Sequence, residues 1–380
     1  MIDALPTDFL FPPSRISTRV DASLGSASHV GTRLHELGIL SSDAESTVLV
    51  VGDLGAVEVF DRVEASLTAC GARVEWHRIE PSESIKVQAT ADRIVEWAIE
   101  RGVDRGTPIL AVGGGIVCDL VGHVAGTLLR GIPLALVPTT LLSMVDAAFG
   151  GKTGVNVPLS GGRLGRNLVG GFHPARVVAA DVSTLATLPD RDLRAGLAEC
   201  VKHGWVDGEE HLSWLEARAD ELTADGAIRK IALRDLVRRS IVVKAGIVTR
   251  DPFERGERRL LNLGHTFAHA IEARPGNRWR HGEAVAIGLV AAAAASEAAG
   301  CAESGVLERT RALLERLGLP VVLGDAPPAT ELRELMALDK KRSGRALRLV
   351  LPIRPGTIEV LERPAEEVVA AGWAAVGAAP

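Results

Sequence analysis

The sequence predicts an α/β fold: an N-terminal doubly wound, mostly parallel nucleotide-binding domain, then a mainly α-helical C-terminal metal-binding domain. Three observations lead there. Short β-rich runs alternate with helix-length segments from Thr47 to about Thr187, the rhythm of strands joined by helical crossovers. A glycine turn, Gly113-Gly-Gly115, directly follows one of those runs. Beyond Pro189 the pattern becomes helical and gathers carboxylate and histidine side chains.

The elements follow in order. Thr47–Val51 reads as a strand ending in Gly52-Asp53, Gly55–Cys70 as a helix, Arg73–His77 as a strand and Val87–Arg101 as a helix. Pro108–Val112 is a buried strand, Ile116–Leu129 helical, and Pro133–Val137 and Val177–Ala180 further strands. A boundary near Leu185–Asp192 gives domains 1–188 and 189–380. After it, Asp192–Trp205, Glu209–Leu222, Ala227–Val248, Leu260–Ala273, Glu283–Ala299, Gly305–Leu317 and Thr330–Leu338 read as helices. Leu347–Leu351 and Thr357–Val360 suggest a late hairpin, and the alanine-rich C-terminal tail reads as low complexity.

Composition narrows the function classes. Hydrophobic residues make up 47% and charged residues 24%, ordinary for a globular enzyme. A formal net charge of −5 gives no reason to expect nucleic acid. The longest apolar run, Ala284–Ala295, is shorter than the roughly 20 residues that span a bilayer. Four cysteines without CxxC spacing read as reduced thiols. The expectation is a cytoplasmic protein with no membrane partner.

Several motifs carry chemistry. Glycines after a strand and before a helix let a phosphate approach the backbone, and the helix N-terminus offers unsatisfied N–H groups. Gly113–Asp119 has that placement without the GxGxxG spacing, so a plain tight turn is the competing reading. Lys152 in the Gly/Thr-rich turn Gly150–Asn156, and the cationic turn Gly165–Gly170, suggest two anion sites. Glu199 and Lys202 stand at i, i+3 in an apolar helical pattern, and His265 and His269 share a helix face. Thr266 stands where an HExxH motif needs glutamate, so Glu199 and His281 compete with His269 as ligands. A set of two histidines and one carboxylate leaves a coordination position open, the mark of a catalytic rather than a structural metal site. Lys202, Lys244, Arg258, Lys340 and Lys341 read as solvated helix decoration or as an anion pocket; their neighbours favour the pocket.

Taken together, the blocks Glu83–Lys86, Gly113–Asp119, Arg130-Gly131, Pro138–Asn156, Gly165–Gly170, Ala195–Lys202, Leu260–Glu272, His281–Gly288 and Asp339-Lys-Lys341 resemble the 3-dehydroquinate synthase family of sugar phosphate cyclases, from about Leu49 to Pro352. The resemblance implies NAD and a divalent metal, Zn2+ or Co2+, as cofactors. It implies Glu199, His265 and His281 as metal ligands. It implies NAD contacts at Asp53, Glu83, Lys86, Gly114, Gly115, Ile116, Val117, Asp119, Thr139, Thr140, Lys152, Arg166, Thr184, Leu185 and Thr187. The substrate pocket it implies comprises Asp146, Lys152, Asn167, Lys202, Lys244, Arg258, Asn262, His269 and a lysine of the Asp339-Lys-Lys turn, assigned to Lys340. Arg130 matches a residue that family homodimers donate to the neighbouring site.

The implied reaction converts 3-deoxy-D-arabino-heptulosonate 7-phosphate into 3-dehydroquinate and phosphate, a lyase step of the shikimate pathway toward aromatic amino acids. It runs by transient oxidation, phosphate elimination, re-reduction and aldol closure. The sequence departs from the family at Arg166, where lysine is usual, and at Ser160–Leu164, which reads as a short insertion. Two rival readings remain: a cyclase for another sugar phosphate, of the amino-dehydroquinate or valiolone type, and a metal-dependent polyol dehydrogenase of the same two-domain plan.

Overall fold

The computed structural model describes residues 8–11, 16–41, 46–159, 164–325, 327–343 and 346–379. By contact the chain divides into two compact units, Met1–Leu188 with Lys244–Phe253, and Pro189–Val243 with Glu254–Pro380.

The first unit is built on a twisted sheet. Its strands are β1 (Asp8–Phe11), β2 (Ile16–Asp21), β3 (Ser46–Asp53), β4 (Ala72–Ile79), β5 (Ile109–Gly113) and β6 (Leu134–Pro138), with β9 (Val177–Ala179) later in the chain. The spatial order is β1-β2-β9-β6-β5-β3-β4. All neighbouring pairs are parallel except β1 with β2. The central strands are buried along their whole length, β5 and β6 without interruption, as a parallel sheet covered on both faces requires. Val48, Val50, Leu110, Val112, Ala135 and Val137 pack in one cluster with Val59, Val63 and Leu67 of α2 (Val57–Thr68) and Leu34 of α1 (Val30–Glu36). Leu49, Val51, Ile109 and Ala111 alternate to the opposite face, all fully buried. The helices α3 (Gln88–Ile99) and α4 (Gly115–Thr127) complete this part.

Strand order reverses beside β3. From β3 the chain goes outward to β4, then returns so that β5, β6 and β9 build on the other side. Ligands of open α/β sheets bind at such a reversal, beyond the carboxyl ends of the strands. Here those ends are Gly52-Asp53 and Gly113–Gly115.

Next come β7 (Lys152–Pro158) and β8 (Leu164–Phe172), an antiparallel ribbon apart from the main sheet. This corrects the reading of Lys152–Asn156 and Gly165–Gly170 as turns, whereas Gly150 and Gly151, at left-handed φ of 93° and 65°, do turn the chain before β7. Within the ribbon, Gly154 and Gly170 serve close strand approach: a Cβ on Gly170 would lie 1.9 Å from Thr153 O and one on Gly154 3.1 Å from Val169 O. Of the Ser160–Leu164 insertion, Leu164 opens β8, and 160–163 lie outside the described residues.

The second unit contains α5 (Asp190–Asp207), α6 (Glu209–Thr223), most of α7 (Ala227–Arg250), α8 (His265–Glu272), α9 (His281–Ala298), α10 (Val306–Arg316), α11 (Ala329–Ser343) and α12 (Glu366–Ala375). An antiparallel hairpin, β10 (Arg348–Arg354) with β11 (Thr357–Glu362), sits among them. The last turns of α7, from Lys244, belong to the first unit. Three expectations change. Leu260–Ala273 is not one helix: a 3-10 segment, Glu257–Asn262, ends before Gly264, whose left-handed φ of 77° resets the chain to start α8. A Cβ there would lie 2.9 Å from Leu289 N, so only glycine permits that approach to α9. Asp339-Lys-Lys341 is not a turn but part of α11, because good helix formers continue to Ser343; the side chains of Lys340 and Lys341 lie outside the described residues. The alanine-rich tail forms α12, anchored by buried Trp373 against the Phe267 ring at 4.9 Å. Among the described residues, no helix is long and apolar enough to cross a membrane.

Candidate functional site

In the second unit, α5 carries Glu199 and Lys202 three residues apart, and both are buried. Lys202 Nζ forms an ion pair with Glu199 Oε2. Burying a carboxylate alone would be costly, and this ammonium offsets it while leaving Oε1 for other partners.

Two histidines meet that oxygen, each from the first position of a helix. Gly264 sets His265 at the start of α8. Arg280 N donates to Glu283 Oε2 at 2.9 Å, and Arg191 grips the same carboxylate at 2.6 and 2.7 Å, fixing the start of α9 and so His281. His265 Nε2 lies 3.5 Å and His281 Nε2 3.4 Å from Glu199 Oε1. The other ring nitrogens are engaged: His265 Nδ1 lies 3.2 Å from Leu263 O and His281 Nδ1 3.3 Å from Glu272 Oε2. Nδ1–H groups donating to acceptors leave Nε2 as the ligand atom, the usual way of orienting a metal-bound imidazole.

The donor set fits a small divalent cation. Ligand atoms about 2.0–2.1 Å from a tetrahedral ion sit roughly 3.3–3.4 Å apart, close to the 3.4 and 3.5 Å observed. Burial, then the Lys202 charge, push the His265 imidazolium down to about 3, so this ring is neutral and ready to ligate. His281 differs. Burial disfavours its charge too, but hydrogen bonds to Glu199 and Glu272 outweigh that and raise it to about 10. These carboxylates favour the imidazolium, so a cation binding at His281 competes with a proton. His269 is exposed one turn beyond His265, its ring edge-on to that ring at 5.6 Å, and it does not join the three converging donors. Arg258, buried, and Asn262, which donates to Glu254 Oε1 at 2.6 Å, lie on the 3-10 segment just before His265.

In the first unit, the candidate nucleotide residues gather at the reversal of strand order. Asp53 ends β3 and accepts from Gly55 N at 2.7 Å; burial holds its carboxyl above the ordinary range. A Cβ on Gly113 would lie 2.8 Å from Val117 Cγ2 and 2.9 Å from Asp53 Cβ, and one on Gly114 3.2 Å from Thr140 Cγ2. The turn thus needs glycine for packing, and it opens α4 with the N–H groups of Gly115, Ile116 and Val117 at the helix start, where an anion is favoured. Thr139 is buried beside Gly113, donating its N–H to Gly113 O at 3.0 Å. Thr140 and Ser143 bond at 2.8 Å, starting the short turn that carries Asp146. Lys244 Nζ reaches Asp146 Oδ1 at 2.6 Å. Thr184 and Leu185 are buried in a 3-10 turn, and Thr187 Oγ1 donates to Glu58 Oε1 at 2.6 Å.

A buried cation ties the helices to the ribbon. Lys86 Nζ donates to Asp119 Oδ2 at 2.5 Å and to Asn167 Oδ1 at 2.6 Å. Burial raises the Asp119 carboxyl, with Lys86 opposing that rise. Lys152 and Arg166 are exposed on β7 and β8. Arg130 is exposed at φ 69°, directly after Leu129 at φ 51°.

Two polar residues had no role in the sequence reading. Glu272 orients His281, and its place two turns after His265 on α8 is the signal that could have found it. Asn156 is 1% exposed and bonds both Glu83 and Asn167; an amide between Val155 and Val157 in a strand is its signal.

Comparison with known proteins accords with this arrangement. Residues 76–195 match the 3-dehydroquinate synthase N-terminal family model and residues 196–342 the C-terminal one. A 3-dehydroquinate synthase of Symbiobacterium thermophilum is 42% identical over 315 residues, 82% of this chain and 86% of the relative. One of Halorhodospira halophila is 42% identical over 326 residues, covering 85% and 88%. Among solved structures, 2-epi-5-epi-valiolone synthase from Streptomyces hygroscopicus subsp. jinggangensis, with NAD+ and Zn2+ bound, is 28% identical, with a TM-score of 0.78 over 88% of this chain and 92% of that one. A 2-deoxy-scyllo-inosose synthase complexed with carbaglucose-6-phosphate, NAD+ and Co2+ shares the fold at 24% identity, with a TM-score of 0.80 over 97% and 99%. With both halves matched in order and the converging carboxylate and histidines inside the C-terminal match, the chain belongs to the 3-dehydroquinate synthase family.

Proposed function

We propose that the chain is a 3-dehydroquinate synthase, converting 3-deoxy-D-arabino-heptulosonate 7-phosphate into 3-dehydroquinate and phosphate. The observation that carries this reading is the convergence of His265 and His281 on Glu199, within a chain 42% identical to curated 3-dehydroquinate synthases. Glu199, His265 and His281 hold the divalent cation; Asp53, Lys86, Asp119 and the Gly113–Gly115 turn hold NAD. A cation held there would supply Lewis-acid polarisation of a substrate hydroxyl, and NAD+ would supply a hydride acceptor that is regenerated, with no net redox change.

The rest is positioning by this chain's own groups. Lys152, Asn167, His269 and Arg130 hold the phosphate end; Lys244, Arg258 and Asn262 the carboxylate end. Lys202, Asp146 and a lysine of Asp339-Lys-Lys341 are further substrate contacts by the family likeness. Arg suits bidentate carboxylate or phosphate recognition, and oriented binding can contribute roughly 7–11 kcal/mol to the rate. The enzyme is read as a phosphorus–oxygen lyase, working as a homodimer through Arg130. A cytoplasmic location is supported by its cysteines, which are thiols rather than disulfides.

The test supplies the heptulosonate phosphate, catalytic NAD+ and zinc or cobalt, then measures phosphate release and identifies the carbocycle. Stoichiometric phosphate and 3-dehydroquinate, without NADH build-up, are expected. NADH accumulation without phosphate would replace the reading with a polyol dehydrogenase. Turnover only of a non-carboxylated sugar phosphate would replace it with a valiolone-type cyclase.

A further inference from the structure

Asn156, 1% exposed, hydrogen-bonds both the Glu83–Lys86 segment and Asn167. It sits where the pairing of β7 with β8 shifts register, between Val155 and Val157. Such a bulge re-aims a residue away from its ladder, and Asn156 turns to a different partner. It bridges in parallel to Val87, and its N–H donates to Lys86 O at 2.7 Å.

The side chain uses both amide hydrogens and its oxygen. Nδ2 donates to Glu83 O at 3.1 Å and to Glu83 Oε2 at 2.8 Å, while Oδ1 accepts from Asn167 N at 2.9 Å. The two acceptors on one side and the N–H on the other fix which amide atom is which. Asn167 in turn stands at φ 51°, a left-handed conformation that costs free energy unless its surroundings hold it. In that conformation its Oδ1 meets Lys86 Nζ at 2.6 Å, and Lys86 also holds Asp119. Glu83, Lys86, Asp119 and Asn167 are thus oriented around one buried amide, and each is a candidate ligand contact whereas Asn156 is not.

We propose that Asn156 is a positioning residue that sets the dinucleotide-binding segment Glu83–Lys86 and the substrate-binding Asn167 in register with each other. The inference rests on the NAD and substrate roles proposed above. Aspartate at this position has the right size but the wrong chemistry. Its carboxylate would face the Glu83 carboxylate and carbonyl with no hydrogen to give, pushing Glu83 away while still accepting from Asn167. Serine removes the reach to both partners. Both changes leave Glu199, His265 and His281 untouched.

The experiment measures three quantities for wild type, Asn156→Asp and Asn156→Ser: NAD+ affinity by calorimetry on the zinc-loaded protein, KM for the heptulosonate phosphate, and bound zinc. Wild type must bind NAD+ and turn over the sugar phosphate; if it does neither, the function reading itself fails. Given a working wild type, each variant is expected to weaken NAD+ at least tenfold and raise KM, with one zinc retained. The KM penalty of Asn156→Ser should largely vanish in an Asn167→Gly background, because the residue being positioned is then gone; a purely structural role gives additive penalties. NAD+ affinity within twofold of wild type in soluble Asn156→Ser, or additive KM effects, overturns the inference. Should Asn156→Asp prove insoluble, Asn156→Ser decides alone.

Discussion

Glu272 accepts from His281 Nδ1 at 3.3 Å, while the opposite nitrogen of the same ring lies 3.4 Å from Glu199 Oε1. The imidazole is therefore suspended between two carboxylates, one orienting it and the other sharing its ligand position. A partner of this kind fixes the tautomer and raises ligand basicity, and losing one typically weakens metal binding about 10–100-fold. Glu272→Ala should reduce zinc affinity by that factor in a chelator competition, with turnover recovered by excess zinc. His265→Ala removes a ligand outright and should abolish turnover and metal retention at any zinc level. Full activity of metal-depleted His265→Ala would end the ligand assignment.

Metal uptake should carry a pH signature. The metal-free protein raises His281 from 6.5 to about 10, with the hydrogen bonds to Glu199 and Glu272 overcoming burial. A raised imidazolium pKa stabilises the metal-free fold fully below about 6.5, and that contribution is lost as pH rises through about 10. His265, held down to about 3, is already neutral across that window. A cation must therefore displace the His281 proton alone. Zinc binding near pH 7–9 should release about one proton and tighten roughly tenfold per pH unit. Calorimetry in buffers of different ionisation enthalpy reads the proton count. A count near zero in wild type, or one unchanged in His281→Ala, contradicts this account.

How far the sequence alone reached depended on which elements bury a periodic apolar face. Strands β5 and β6 are buried throughout and β3 from Val48 to Gly52, and glycine follows β5 at once, so both their existence and their ligand-facing ends were legible. The β7–β8 ribbon was not. From Arg166 to Phe172 every residue of β8 is exposed, Leu168 at 54% and Phe172 at 47%, so no period-two pattern marks it. Its glycines read as turns because their purpose, close strand approach, leaves no trace until a partner strand is placed. Residue type left Glu199 and His281 to be weighed against His269 as ligands, and only the family resemblance singled out Glu199, His265 and His281. What separates them is the Gly264 break, which aims His265 rather than His269 at Glu199. Three-dimensional packing against α9 imposes that break.

Lys86 offers a stability test separate from catalysis. The residue is 4% exposed and its ammonium holds the Asp119 carboxylate, which burial already pushes toward neutrality. Removing one partner of a buried pair strands the other charge. Lys86→Met should cost about 3 kcal/mol, lowering the thermal midpoint by roughly 6–12 °C in the absence of ligands. Adding Asp119→Asn should restore most of that loss, since the stranded charge is then absent. A midpoint unchanged in Lys86→Met, or a double variant less stable than the single, would contradict the pairing.

Gly113 tests the cradle at the reversal of strand order. Its Cβ position lies 2.8 Å from Val117 Cγ2 and 2.9 Å from Asp53 Cβ, both stiff groups next to the chain. Alanine would force β5, the start of α4 and the end of β3 apart, an overpacking that costs about 1–3 kcal/mol. It would also shift the N–H groups at the helix start and the Asp53 carboxylate together, so NAD+ affinity should fall at least tenfold. Gly106→Ala is a matched control, because a Cβ there would meet only Asp104 Oδ1 at 3.4 Å, an ordinary contact on an exposed loop. If Gly113→Ala bound NAD+ as tightly as Gly106→Ala, the turn would be a packing device only. The dinucleotide would then have to be held elsewhere in the first unit.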